Sequence, residues 1–147
     1  MTKIAVIVGT VYGAAQYVAE QAVAALSERN YDCQLFEDAV LDEVLAYNAD
    51  IWLVICSTTG EGDVPDNVFP FYLQLKEQFP LLTNKHYAVI GLGDSSYENF
   101  CGGGEKFAEL LAELQGTEVA PMLRIDAIET LEPELIALPW LQQHFTG

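Results

Sequence analysis

Positive charge is what this sequence has least of. Six Lys and Arg stand against 22 Asp and Glu, a formal net charge of −16. Nucleic-acid binding neutralises phosphates with clustered cations, so nucleic acid is excluded as a main partner, and an anionic membrane surface is disfavoured on the same ground. Long apolar runs are missing too. No stretch approaches the roughly 18 residues a membrane span needs. The opening run Ile4–Val8 is too short for an export signal and reads better as a first buried strand. Cysteine is scarce: Cys33, Cys56 and Cys101 are odd in number and far apart, which argues for reduced thiols and a cytoplasmic setting. His86 and His144 have no clustered partners that would suggest a metal site or a catalytic base.

What remains is globular. The 147 residues are 51% hydrophobic and 19% charged, without linker, repeat or low-complexity segment, so one domain spanning 1–147 is expected. Between Arg29 and Lys76 there is no cation at all, while Asp32, Glu37, Asp38, Asp42, Glu43, Asp50, Glu61, Asp63 and Asp66 fall in that stretch. Such a face serves solubility, or it docks a basic partner protein and speeds the encounter at low salt.

Strand and helix alternate along the chain. Ile4–Val8 and Ile51–Cys56 are continuous apolar runs, as in strands buried on both faces. Tyr31–Phe36, His86–Leu92 and Glu118–Ile125 complete five strands, the last demoted toward an edge by Pro121. Helical spacing of apolar residues runs over 13–30, where Ala15, Val18, Ala19, Ala22, Val23 and Leu26 share a face. Further helices are expected over 41–47, over 66–78 with Pro80 as the stop, over 105–114, and over 131–145 with a break near Pro139. The prediction is an α/β domain: a doubly wound, five-stranded parallel sheet of order 2-1-3-4-5 with helices on both faces. In such a sheet a ligand binds at the carboxyl ends of the central strands, where the strand order reverses.

Three loops fall at that place. The first strand runs through Thr10, Val11, Tyr12, Gly13 and Ala14 into a helix, a turn whose backbone N–H groups suit an anion. It contains no Lys or Arg and matches neither a P-loop nor a G-x-G-x-x-G fingerprint. The third strand ends in Ser57, Thr58, Thr59, Gly60, Glu61 and Gly62, hydroxyls and glycines that let backbone approach a flat ligand. Asp66 or Asn67 is placed to cap the helix that follows. The fourth strand ends in Leu92, Gly93 and Asp94, followed by Tyr97, Asn99, Phe100 and Cys101. Tyr97 there is a candidate stacking plate, while Phe100 is expected to turn toward the core. Each loop alone is ordinary turn chemistry; together they converge on one crevice.

The run Ser-Thr-Thr-Gly-Glu-Gly-Asp-x-Pro-Asp-Asn over 57–67, with Leu-Gly-Asp-Ser-Ser-Tyr-Glu-Asn-Phe-Cys over 92–101, resembles the short-chain flavodoxins. It is most similar to the YqcA/MioC subgroup and to the FMN modules of diflavin reductases. The resemblance covers essentially the whole chain. It implies a non-covalent FMN and an electron carrier that moves single electrons between a flavodoxin or ferredoxin reductase and an acceptor enzyme, as a cytoplasmic monomer. By the same resemblance, Thr10–Ala14 take the phosphate, Ser57–Gly62 lie beside the ring and ribityl chain, and Leu92–Cys101 form the opposite loop with Tyr97 stacked on the ring. Two departures from the family pattern stand out. Val11, Tyr12 and Ala14 replace hydroxyl-bearing positions, and Thr59 stands where related modules carry a second aromatic. A one-sided stack and looser FMN binding follow. The thiol of Cys101 is read as packing rather than as a redox group.

Other readings of the same fold are weighed against this one. An NAD(P)H-dependent flavin or quinone oxidoreductase lacks an Arg near the loops for the nicotinamide cofactor's phosphate. A receiver-type signalling module needs paired carboxylates after the first strand and an Asp after the third, where this chain has Gly9-Thr10 and Ser57-Thr58. An interaction module that has lost its flavin is the third alternative.

Overall fold

Alternation within the strands decides the layers. Ala5, Ile7, Trp52, Val54, Cys56, Tyr87 and Val89 pack into one apolar cluster, and their neighbours Ile4, Val6, Val8, Leu53, Ile55, Ala88 and Ile90 into a second. A strand buried on both faces has no polar side to show, which is why these segments are apolar throughout. The computed structural model describes residues 1–145. It contains β1 (Lys3–Gly9), α1 (Ala14–Glu28), β2 (Asp32–Phe36), α2 (Leu41–Tyr47), β3 (Ile51–Cys56), α3 (Phe69–Gln78), β4 (His86–Gly93), α4 (Gly102–Glu113), β5 (Thr117–Glu118), β6 (Leu123–Asp126) and α5 (Glu134–His144). All pairings are parallel, in the order β2-β1-β3-β4-β5, with β6 also on β4. Helices α1 and α5 cover the second cluster; α2, α3 and α4 cover the first. The expected doubly wound order is therefore present, and it puts the ends of β1, β3 and β4 side by side.

The fifth lane differs from the expected single strand over 118–125. It is two short pieces: β5 pairs with the start of β4 and β6 with its end. Pro121 has no amide to give the ladder, so the chain leaves the edge and rejoins it two residues later. The final helix departs in the other direction. It runs through Pro139 without a break; Pro139 and Leu135 one turn back are both exposed, so losing that one helical bond is cheap on this face. Helix α3 begins at Phe69 rather than Asp66, with a proline in its first turn, and ends on Phe79 in the left-handed region before Pro80. Helix α4 begins three residues earlier than expected: Gly102–Gly104, outside the range expected for it, form its buried first turn.

Among the described residues no helix is long and apolar enough to cross a membrane, and no group of His, Cys, Asp or Glu is placed to hold a metal ion.

Candidate functional site

The three converging loops enclose a groove of about 900 Å³ at the carboxyl ends of β1, β3 and β4. Of the residues singled out in the sequence, Val11, Tyr12, Ala14, Ser57, Thr58, Thr59, Gly60, Glu61, Gly62, Leu92, Gly93, Asp94, Tyr97, Asn99, Phe100 and Cys101 line it. Thr10 and Gly13 do not reach its surface. Within the first loop they bond to each other, the Gly13 amide donating to Thr10 Oγ1 at 3.0 Å. Phe100 does not enter the core as expected; it is half-buried and faces the groove.

The first loop is fastened by a residue far away in sequence. Asn67 accepts the Thr10 amide at Oδ1 (2.9 Å) and donates from Nδ2 to the carbonyls of Val8 (2.9 Å) and Glu37. It caps no helix; it ties the end of β1 to the loop beyond β2. With the loop so held, the amides of Val11 and Tyr12 meet no acceptor among the described residues. The first amides of α1 lack intrahelical partners by construction. A phosphate-sized anion here meets N–H groups and a helix N-terminus. No Lys or Arg lines the groove.

The second loop is a tight hairpin. Thr59 and Asp63 exchange both backbone bonds, at 2.9 and 2.8 Å. Gly62 closes the turn at φ +97°, and a Cβ there would sit 2.7 Å from Asn99 Cβ, so glycine is required twice over. Behind the hairpin lies the first turn of α4. A Cβ on Gly103 would stand 2.5 Å from the Ser57 carbonyl oxygen and 3.0 Å from that of Asp63. The Gly103 amide donates to Thr58 Oγ1 at 3.2 Å. That hydroxyl spends one lone pair on the helix and still has its proton to donate.

The third loop carries Tyr97, 67% exposed. Packing does not hold it, so hydrogen bonds must. Asp94 accepts the Ser96 amide (2.9 Å) and hydroxyl at Oδ1, and the Tyr97 amide donates to the Asp94 carbonyl at 3.1 Å. Asn99 Nδ2 donates to the Glu61 carbonyl at 2.7 Å, joining the third loop to the second. Ala127, Thr130, Leu131 and Pro133, between β6 and α5, close the remaining wall. Nothing in their composition announced this, because only the pairing of β6 with β4 brings them there.

Comparison with known proteins agrees with the geometry. The family model described as Flavodoxin matches residues 6–140. The chain belongs to the flavodoxin family. Flavodoxin YqcA of Escherichia coli strain K12 is 44% identical over 143 residues, covering 97% of this chain and 96% of the relative. Protein MioC of the same strain is 36% identical over 141 residues, covering 96% and 95%. Among solved structures, a cysteine-to-alanine mutant of a flavodoxin from Pseudomonas aeruginosa superposes with a TM-score of 0.92 at 45% identity, covering 97% of this chain and 95% of that one. Flavodoxins are FMN-binding electron-transfer proteins, and the donor set of this groove fits that cofactor: free amides for a phosphate, an exposed ring for a flat heterocycle, and hydroxyls between them.

In this flavodoxin the thiols beside the groove are quiet. Burial pushes the Cys101 thiol up to about 11, with Arg124 pulling the other way, and burial raises Cys56 further. Neither is a thiolate at neutral pH, and the thiolate is the reactive form. Cys101 itself stands at φ +58°, ahead of α4.

The cations are unevenly placed along the strand axis. Lys3 and Lys85 bond to the carbonyls of Tyr47 and Ala49, Arg29 follows the end of α1, and Lys76 sits in the last turn of α3. All four are at the end of the sheet opposite the groove. At the groove end, Lys106 is paired with Asp63 and Arg124 with Glu105. Glu61, Asp94 and Glu98 line the groove with no ion-pair partner among the described residues.

Proposed function

We propose that this flavodoxin is a single-domain, monomeric, cytoplasmic carrier that holds FMN non-covalently and passes single electrons from a reductase to an acceptor enzyme. The observation that carries the reading is the convergence of free loop amides and the exposed Tyr97 ring on one groove. The phosphate rests on the turn over 10–14, held by the N–H groups of Val11 and Tyr12, with Thr10 shaping the turn by accepting the Gly13 amide. The ring lies between 57–62 and 92–101, stacked on Tyr97 from one side only, since Thr59 offers no second plate. FMN, when bound, supplies the redox chemistry. The chain's own residues set its terms. Glu61, Asp94 and Glu98 oppose added negative charge in the groove, which lowers the potential at which a bound group accepts an electron into an anionic form. The Gly60 peptide, at φ +55°, is free to turn its carbonyl toward the ring edge at little cost. The unpaired carboxylates at the groove end favour partners with basic docking faces.

The test is direct. Freshly purified protein is expected to be yellow and to release FMN on denaturation, and its reduction by a flavodoxin reductase is expected to slow steeply as salt rises. A colourless protein that leaves the spectrum and fluorescence of added FMN unperturbed sinks the reading.

A further inference from the structure

We propose that Asp126 is the positioning residue of the groove, a carboxylate whose work is to fix the distance between the Tyr97 loop and the 127–133 wall. The proposal rests on the flavin reading for its functional consequence, and on hydrogen bonds alone for its mechanism.

Among the described residues Asp126 is the charged side chain that the fold buries. Burying a carboxylate is unfavourable unless its oxygens are matched by donors. Here they are. Oδ1 accepts the Ser95 amide at 3.1 Å and the Ile128 amide at 3.0 Å. Those two amides belong to different loops. Ser95 precedes Tyr97 by two residues, and Ile128 precedes Thr130 and Leu131, which line the facing wall. Asp126 is the last residue of β6 and lies in register with Gly93, the last residue of β4. Its own position is therefore set by the sheet, with the Ala127 amide donating to the Gly93 carbonyl at 2.8 Å. One side chain rooted in the core thus grips both walls at the point where they leave it. The Ser95 hydroxyl, opposed by burial and helped by the Ile128 and Ser95 amides, holds the carboxyl below the ordinary carboxylate range, so the acceptor is present at neutral pH.

The need for such a clamp follows from the exposure of Tyr97. The loop over 94–100 folds on itself through Asp94. Beyond its own residues, the side-chain tethers it has among the described residues are Asn99 to Glu61 and Ser95 to Asp126. Tyr97 stands between them. A stacking plate that solvent surrounds is kept at a fixed height over a ligand only if both ends of its loop are pinned, and a pre-set plate saves the ordering entropy that binding would otherwise cost.

Two conservative variants separate position from charge. Asp126→Asn keeps an acceptor at Oδ1 and loses the charge; Asp126→Glu keeps the charge and moves the acceptor by one methylene. Full-length wild type and variants are compared by amide hydrogen exchange over 94–98 and at Ile128 without added flavin, and by FMN titration and visible circular dichroism with it. The expected result is wild-type-like exchange for Asp126→Asn. For Asp126→Glu it is faster exchange, FMN binding weaker by about tenfold and a reduced flavin dichroic band. Asp126→Glu behaving as wild type while Asp126→Asn is impaired overturns the proposal in favour of a charge effect. Wild-type exchange in both variants overturns it outright. Because the exchange experiment needs no FMN, a failure of the flavin reading leaves this readout intact.

Discussion

The two long walls of the groove are built by opposite means. The 57–63 hairpin is fixed by backbone against backbone: it closes on itself, and α4 presses glycine into it with no room for a methyl group. The 94–100 loop is fixed by side chains, with Asp94, Asn99 and Asp126 holding a segment that touches little else. The first arrangement is rigid because its atoms have nowhere to go, and its failures are steric. The second is rigid only while its hydrogen bonds last, and its failures are polar. One wall is a fixed reference, and the other carries the ring that must meet the ligand.

Substitutions break this contrast in graded steps. Gly103→Ala attacks the steric wall. The new methyl meets the Ser57 and Asp63 carbonyl oxygens, a clash of about 3 kcal/mol against which alanine's helix propensity returns about 1. A net loss of about 2 kcal/mol is expected in urea unfolding, together with loss of flavin binding. Asn67→Ala removes three bonds from the first loop, and one to two of the freed backbone groups find water. The expected cost is about 1–2 kcal/mol by the same measurement, with FMN binding weakened as the loop amides lose their alignment. Tyr97→Leu sharpens the contrast from the other side. An exposed side chain with no packing role leaves unfolding within about 0.5 kcal/mol of wild type. FMN affinity, read by recovery of flavin fluorescence, is expected to fall by the stacking contribution, about 0.5–1.5 kcal/mol. Equal losses of stability for Gly103→Ala and Tyr97→Leu would erase the distinction between the walls.

The parts of this architecture that were legible in the sequence are those that depend on local pattern. Ile51–Cys56 reads as a doubly buried strand because every residue in it is apolar, and the apolar face of 14–26 reads as a helix because its spacing repeats. The loops followed, since a turn after a strand is a local event. What escaped is non-local. Asn67 looked like a helix cap because its partner Thr10 lies 57 positions away. Asp126 drew no notice for the same reason. Gly102–Gly104 fell outside the helix expected over 105–114, yet tertiary packing made a helix of them, because only glycine lets α4 come so close to the hairpin. Pro121 and Pro139 both looked like interruptions. Only the first, which sits where a sheet ladder needs its amide, became one.

The placement of the cations has one more consequence. Lys3, Arg29, Lys76 and Lys85 lie at the far end of the strands, among carboxylates of their own, while Glu61, Asp94 and Glu98 at the groove have no ion-pair partner among the described residues, so the groove end is the more negative. In the field of a basic partner within a Debye length, the carboxylate-bearing groove end is drawn forward before contact. Collisions then begin with the groove already facing forward, and fewer of them are wasted on the sides of the molecule.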